Sequence, residues 1–313
     1  MLNRWLSFTV RLLHLLPHGA ALRLGSFVGQ AFWFFNRRKV DRAEARCVSA
    51  LGVGVSTARE IVRKSYANMG RSMVEFSRLD MLRPTLASLV TVEGKKHLDE
   101  ALKRGKGVLA LTAHMGNWEL AGARMVVEGY PIAPVYTPQR NTGGVEDLID
   151  SQRTSAAGMR IIPSKGFGLR GAFRALREGS VLTLLQDLDA RREGVVLPFL
   201  RLPASTATGI VKLYRRFGSP VVPIVALRNP DGVRHTVRVE KILSDLLDED
   251  GNLFGINMEK SLKMCNNVLE RWITVHPEQW MWLLDKWESV SRPLGHGDGI
   301  GYNTAQTKEK SYT

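Results

Sequence analysis

From residue 90 to residue 239, short apolar runs alternate with segments whose apolar residues recur at helical spacing, and this alternation constrains the fold more than any other feature. The strand expectations are residues 90–93, 108–113, 132–136, 160–162, 181–186, 220–227 and 233–239. Helical patterns fall between several of them, near 95–103, 119–128, 145–157, 169–177 and 208–217, and a further one covers 257–276. Strands separated by helices need crossover connections, so the chain predicts an α/β architecture: a mixed, largely parallel sheet flanked by helices.

Open parallel sheets bind ligands at their carboxyl edge, and one junction brings chemistry there. The run 108–113 ends at His114, Met115-Gly116-Asn117 follows, and Trp118-Glu119-Leu120 opens a helix for which Asn117 is an N-cap candidate. On an unbroken helix, residues five apart point about 140° away from each other. Split across a strand end, a turn and a new helix, His114 and Glu119 can face one crevice. An imidazole held by a carboxylate is the usual general base near neutral pH. The same spacing also fits a structural histidine beside a surface glutamate. A second block, Gln186-Asp187-Leu188-Asp189, closes the run 181–186 and sends two carboxylates to the same edge if the sheet is parallel. Their alternative roles are a capping carboxylate and a solvent-facing one. Beyond them, Pro198-Phe199 reads as a fixed turn and Thr206 or Thr208 as a helix start.

Other chemistries lack their signatures. Cys47 and Cys265 cannot build a disulfide framework or a zinc site, which suits a reducing compartment. There is no His-Glu-x2-His and no Gly-x-Ser-x-Gly. Gly166-Phe-Gly168-Leu-Arg-Gly171 spells the dinucleotide fingerprint, but Pro163-Ser-Lys165 separates it from a short strand and it is not in the first βα unit. No metal and no cofactor is expected. His97, His235 and His296 stand in polar contexts and are expected to be exposed. The charge is informative: 44 basic against 30 acidic residues give +14, which favours phospholipid head groups, phosphorylated sugars, an acidic carrier protein or nucleic acid. Nucleic acid is disfavoured, because no helix-turn-helix, zinc-finger or RNA-binding-sheet pattern occurs.

The N-terminal 35 residues are rich in Leu, Phe, Val and Trp, but Arg4, Arg11, His14, Pro17, His18 and Arg23 interrupt them. No uncharged run reaches the roughly 18 residues a spanning helix wants. The longest clean stretch, 24–35, stops at Asn36-Arg37-Arg38-Lys39 and reads as part of helices lying in a membrane interface, with buried core helices or an N-terminal helix that anchors the chain by spanning the membrane as the alternatives. A polar segment, 40–55, comes next. Thr57-Ala-Arg-Glu60 resembles a capping box before a long helix carrying Ile61, Val62, Tyr66, Met69, Met73 and Phe76. The domain expectation is a membrane-associated helical segment at 1–40, a catalytic domain at 41–290 and a disordered tail at 291–313.

His114-Met-Gly-Asn-Trp-Glu119 resembles the His-x4-Asp/Glu motif of the glycerolipid and lipid A acyltransferases, in the form typical of the lipid A biosynthesis (lauroyl/myristoyl) branch and its mannoside acyltransferase relatives. Further motifs of that family match in order: Arg153 with Gly158, then Asp187-Leu-Asp189 with Gly194-Val-Val-Leu-Pro198-Phe199, then Pro277-Glu-Gln-Trp-Met-Trp282. The resemblance implies a glycerolipid-acyltransferase-like fold with N-terminal membrane-associated helices, at the cytoplasmic face of a bacterial inner membrane. It implies transfer of a fatty acyl chain from an acyl carrier protein or coenzyme A thioester to a hydroxyl of a glycolipid, such as a lipid A precursor. His114 would be the general base, Glu119 its orienting carboxylate and Asp187 a candidate second one. Backbone amides at Gly116 and Asn117 would hold the oxyanion. Arg153 and Arg140 would bind a phosphate, with Asp189 beside the substrate. Two departures concern the acceptor: Tyr136-Thr137-Pro138 stands where the family often has Tyr-Arg-Pro, and Leu283-Leu-Asp-Lys-Trp287 replaces a more basic tail. A lipid esterase or thioesterase using the same pair with water is the alternative activity.

Overall fold

The computed structural model describes residues 13–137, 145–164 and 168–291. Three long helices come first, α1 (His18–Phe35), α2 (Arg37–Leu51) and α3 (Val55–Ser77), followed by short helical turns over 79–89. There follow β1 (Val90–Glu93), α4 (Lys95–Lys103), β2 (Val108–Thr112), α5 (Trp118–Val127), β3 (Ile132–Tyr136), α6 (Val145–Ser151), β4 (Ile162–Pro163), α7 (Gly168–Arg177) and β5 (Val181–Leu185). The chain continues through β6 (Val195–Phe199), β7 (Leu202–Thr206), α8 (Gly209–Phe217), β8 (Val221–Arg228), β9 (His235–Val239) and α9 (Met258–Val275).

Seven strands form one sheet in the order β1-β9-β8-β2-β5-β3-β4. β8, β2, β5, β3 and β4 are mutually parallel, while β9 pairs antiparallel to β8 and carries β1 with it. The α/β class and the mixed, mostly parallel sheet therefore agree with the sequence pattern. β2 is buried along its whole length, with Leu109 and Leu111 in one core and Val108 and Ala110 in the other, as the two-residue period of a central strand requires. One register decides the rest: Thr112 pairs with Leu185 across β2 and β5, so His114 and Asp187 each stand two residues beyond a matched pair.

Two local expectations are corrected, and a third segment gains a structure. Pro198-Phe199 is not a turn but the end of β6 in an antiparallel hairpin, β6 and β7, that pairs Pro198 with Pro203 outside the main sheet, where neither ring costs it a ladder bond. α3 starts at Val55 with no side-chain cap, so Thr57 and Glu60 lie inside it, and Glu60 pairs with Arg63 instead of closing a capping box. The polar segment 40–55 is largely helix α2, whose buried face is the small set Val40, Ala43, Cys47 and Ala50. Residues 292–313, expected to be a disordered tail, lie outside the described residues.

α1 crosses α3 with their backbones almost touching. A Cβ built on Gly70 would lie 2.0 Å from the Gly25 carbonyl oxygen, and one on Gly29 would lie 2.1 Å from that of Tyr66. The opposite face of α1 is apolar and open, with Phe27 68% and Phe35 80% exposed. Among the described residues no helix is long and apolar enough to cross a membrane. Gly70→Val should force α1 away from α3 and lower stability by ~1–3 kcal/mol; a urea midpoint equal to that of the parent would show that the helices do not cross this closely.

Candidate active site

The site is built where β2 and β5 end. After Thr112 the chain passes Ala113 and His114 and turns sharply at Gly116, whose φ is +59° and whose added Cβ would sit 2.1 Å from the Ala226 oxygen, so only glycine fits. Asn117 caps α5 as its residue type suggested: Oδ1 accepts from the Leu120 amide at 3.1 Å. On the other side of the turn the C-terminal segment lies antiparallel to it, with the Met281 amide donating to His114 O at 3.0 Å and the Gly116 amide donating to Gln279 O at 2.9 Å.

The carboxylate that meets His114 is Asp187. Its Oδ1 lies 2.9 Å from His114 Nδ1, and its Oδ2 accepts from the His114 backbone amide at 2.9 Å and from Trp280 Nε1 at 2.8 Å. A carboxylate only accepts, so Nδ1 carries the ring proton and Nε2 is left as the basic nitrogen. Asp187 is fully buried while the imidazole is 14% exposed, enough to face a cavity. Burial alone would raise Asp187, but the charge of His114 and the hydrogen bonds from His114 and Trp280 outweigh it and hold the carboxyl below its ordinary range.

Glu119 does not touch the imidazole, contrary to the expectation from the His-x4-Glu spacing. It lies in the first turn of α5 and faces Arg153, whose Nε stands 3.1 Å from both of its oxygens and whose Nη2 joins the same contact; Trp118 Nε1 adds a further bond at 3.1 Å. A one-turn π-helical segment, Gln152–Ala156, carries Arg153. Arg153 thus reaches the cavity with much of its guanidinium already engaged.

The remaining expectations divide. Gly116 and Asn117 do not line the cavity, and the Gly116 amide is taken up by Gln279, so it is not an oxyanion donor. Asp189 lines the cavity, but both its oxygens hold the C-terminal segment through the Ser289 hydroxyl (2.7 Å) and amide (2.8 Å). Arg140 lies outside the described residues, as does Gly166 of the glycine motif. His235 is buried, not exposed, and its Nε2 sits 3.0 Å from Glu75; the alternation along β9 puts it on the same face as Val237 and Val239. His97 is half-buried and His296 is outside the described residues. Two contributors were not anticipated. Trp280 donates to Asp187, and Lys286 is buried with Nζ donating to Leu188 O at 2.8 Å and Ser205 O at 2.9 Å, just beyond the aspartate. Burial pulls Lys286 down to about 8.

The cavity has a volume of about 1510 Å³. Ala110, Gly122, Met125, Ile132, Met159 and Ile224 give it an apolar side, and all of these but Gly122 are buried. Asp189, Arg191, Lys212 and Glu288 also line it, as do His114 and Glu119. Among the described residues no cluster of His, Cys, Asp or Glu is arranged to hold a metal ion. A hydrogen-bonded Asp–His pair opening onto a cavity with an apolar side can take a proton from a hydroxyl while a long hydrocarbon lies alongside.

The chain matches, over residues 1–289, the family described as bacterial lipid A biosynthesis acyltransferase. It is 29% identical over 292 residues to the lipid A biosynthesis lauroyltransferase of Escherichia coli K12, covering 90% of this chain and 88% of that protein. To the lipid A biosynthesis myristoyltransferase of the same organism it is 22% identical, covering 84% of this chain and 78% of that one. A phosphatidylinositol mannoside acyltransferase of Mycobacterium tuberculosis is 25% identical over 63% of this chain and 59% of its own length.

Two buried carboxyls of this region are depressed, Asp187 and, behind the turn, Glu75. In Glu75 burial is outweighed by hydrogen bonds from His235 and Arg228 and by their charges, which hold it at about 2. A carboxyl whose folded pKa lies below its unfolded one stabilises fully above the unfolded value and loses that contribution as the pH falls through the folded one. The urea midpoint of the parent should therefore fall between about pH 4.5 and about 2. Glu75→Gln should flatten that limb, and an equally steep limb in the variant would locate the acid sensitivity elsewhere.

Proposed function

The chain belongs to the bacterial lipid A biosynthesis acyltransferase family, and on that premise we propose that it carries a fatty acyl group from a thioester, on acyl carrier protein or coenzyme A, to a hydroxyl of lipid A or a related glycolipid. The observation that supports this best is the Asp187–His114 pair at the wall of a large cavity with an apolar interior. The acceptor hydroxyl gives its proton to His114 Nε2 as its oxygen attacks the thioester carbonyl, and Asp187 offsets the imidazolium charge that forms. The tetrahedral intermediate collapses with loss of the thiolate, which takes the same proton back from the imidazolium. No enzyme nucleophile is required, because the thioester is already activated. Glu119 acts by fixing Arg153 at the cavity wall, where the guanidinium meets a phosphate or sugar hydroxyl of the acceptor.

Both substrates are lipid-bearing, and the open face of α1 suits a bilayer surface. Its exposed Phe27, Val28, Phe34 and Phe35 are followed at once by Arg37, Arg38 and Lys39, so an apolar strip ends in a cationic one. In this reading the protein lies on the cytoplasmic leaflet with α1 in the head-group layer.

The apolar wall sets chain length. Gly122 faces it, and an added Cβ would meet the Met159 methyl at 2.6 Å, so larger side chains at 122 intrude on that lobe. Gly122→Leu should shift the transferred chain to one shorter by about two to four carbons, since each methylene left unburied forfeits ~0.8 kcal/mol; mass spectrometry of the acylated product reads this directly. An unchanged chain length would place the hydrocarbon elsewhere. His114→Ala, folded and still bound to vesicles, should lose acyl transfer by ~10³-fold or more. Near-parental transfer by this variant would end the assignment, and release of free fatty acid independent of acceptor would make the protein a hydrolase.

A further inference from the structure

Directly behind the catalytic turn lies a second polar cluster that takes no part in the chemistry described so far. Glu75 on α3 is fully buried and is bonded on every side. Arg228 donates from Nη1 to Oε1 at 2.8 Å and from Nη2 to Oε2 at 2.7 Å, His235 Nε2 lies 3.0 Å from Oε1, and Asn117 Nδ2 donates to Oε2 at 2.7 Å. The links out of this cluster end on the turn that follows His114. Ser72, one helical turn before Glu75, donates its hydroxyl to Gly116 O at 3.1 Å and stands 3.3 Å from Arg228 Nη2. The Arg228 backbone exchanges two bonds with the Gln279 side chain, at 2.7 and 3.0 Å, and Gln279 O accepts the Gly116 amide at 2.9 Å.

We propose that Glu75 is the positioning residue of the acyltransferase site: through Asn117, and with Ser72 beside it, it fixes the turn that aims His114 into the cavity. The inference rests on His114 being the general base proposed above. An acceptor-only carboxylate at Oε2 dictates which end of the Asn117 amide faces it, and this leaves Oδ1 toward the Leu120 amide, where it caps α5. Glu75 thereby sets both the cap of the helix after the turn and the orientation of the turn itself. A buried ion pair adds little net stability over apolar packing of the same volume. What the cluster adds is direction, since its links to the turn come from α3, β8 and the segment containing Gln279. A general base displaced by ~1 Å can lose about 100-fold in rate.

The test compares Glu75→Gln, Ser72→Ala and Asn117→Ala with the parent in the full-length protein, reading kcat, KM for each substrate, thermal midpoint and hydrogen–deuterium exchange of peptides covering residues 113–121. Expected for Glu75→Gln and Asn117→Ala is a kcat lower by ~10- to 100-fold with KM within about twofold, together with faster exchange confined to 113–121. Ser72→Ala should show the same pattern with a smaller loss. Glu75→Gln placed on Asn117→Ala should add less than about threefold, because the two act through one link. A loss in the double variant equal to the product of the single losses, or unchanged exchange over 113–121, overturns the proposal. If Glu75→Gln does not fold, with Arg228 left buried beside no counter-charge, Ser72→Ala and Asn117→Ala decide the question. A parent without acyl transfer would remove the functional reading, whereas the exchange data would still say whether Glu75 holds the turn.

Discussion

Asp187 is the point through which separate parts of the chain are joined. It arrives from β5, orients an imidazole at the end of β2, and accepts an indole hydrogen bond from a segment beyond α9. Its complete burial is tolerable because three donors converge on its two oxygens. The register of β2 against β5 places it there, so the His114–Asp187 geometry is a property of strand pairing before it is a property of side chains.

Two carboxylates compete for the role of histidine partner, and their surroundings separate them. Glu119 sits at the start of a helix facing a guanidinium, which satisfies both its oxygens. Asp187 sits in a closed pocket with His114 and Trp280. The outcome is a hydrogen-bonded Asp–His pair and a neighbouring Glu–Arg ion pair that line one cavity without touching each other's carboxylates.

Much of this was legible in the sequence, for local reasons. The β2–turn–α5 junction follows from an apolar run, a glycine that must take positive φ and an asparagine that caps. Asp187 was placed at the correct edge because apolar strands deliver their next residues there. The choice between Glu119 and Asp187 was not legible from spacing, because nothing in the local pattern says that β5 rather than β3 lies beside β2. The burial of His235 had a signal, its alternation with Val237 and Val239, that its polar neighbours Arg234 and Thr236 obscured. The β6–β7 hairpin was hidden by two prolines that usually argue against strands. Trp280 and Lys286 act through tertiary contacts with groups 81 or more residues away, and no periodicity encodes that.

The bond from Trp280 to Asp187 also has a meaning in time. The aspartate and histidine leave the ribosome well before the tryptophan, which is made 93 positions after Asp187. Until that indole emerges, the carboxylate lacks one of its donors and the loop after β2 lacks the backbone partners supplied by Gln279 and Met281. A nascent chain that has already made its central strands therefore still lacks the indole donor to Asp187 and the backbone partners of the loop after β2, all of which come from the segment beyond α9.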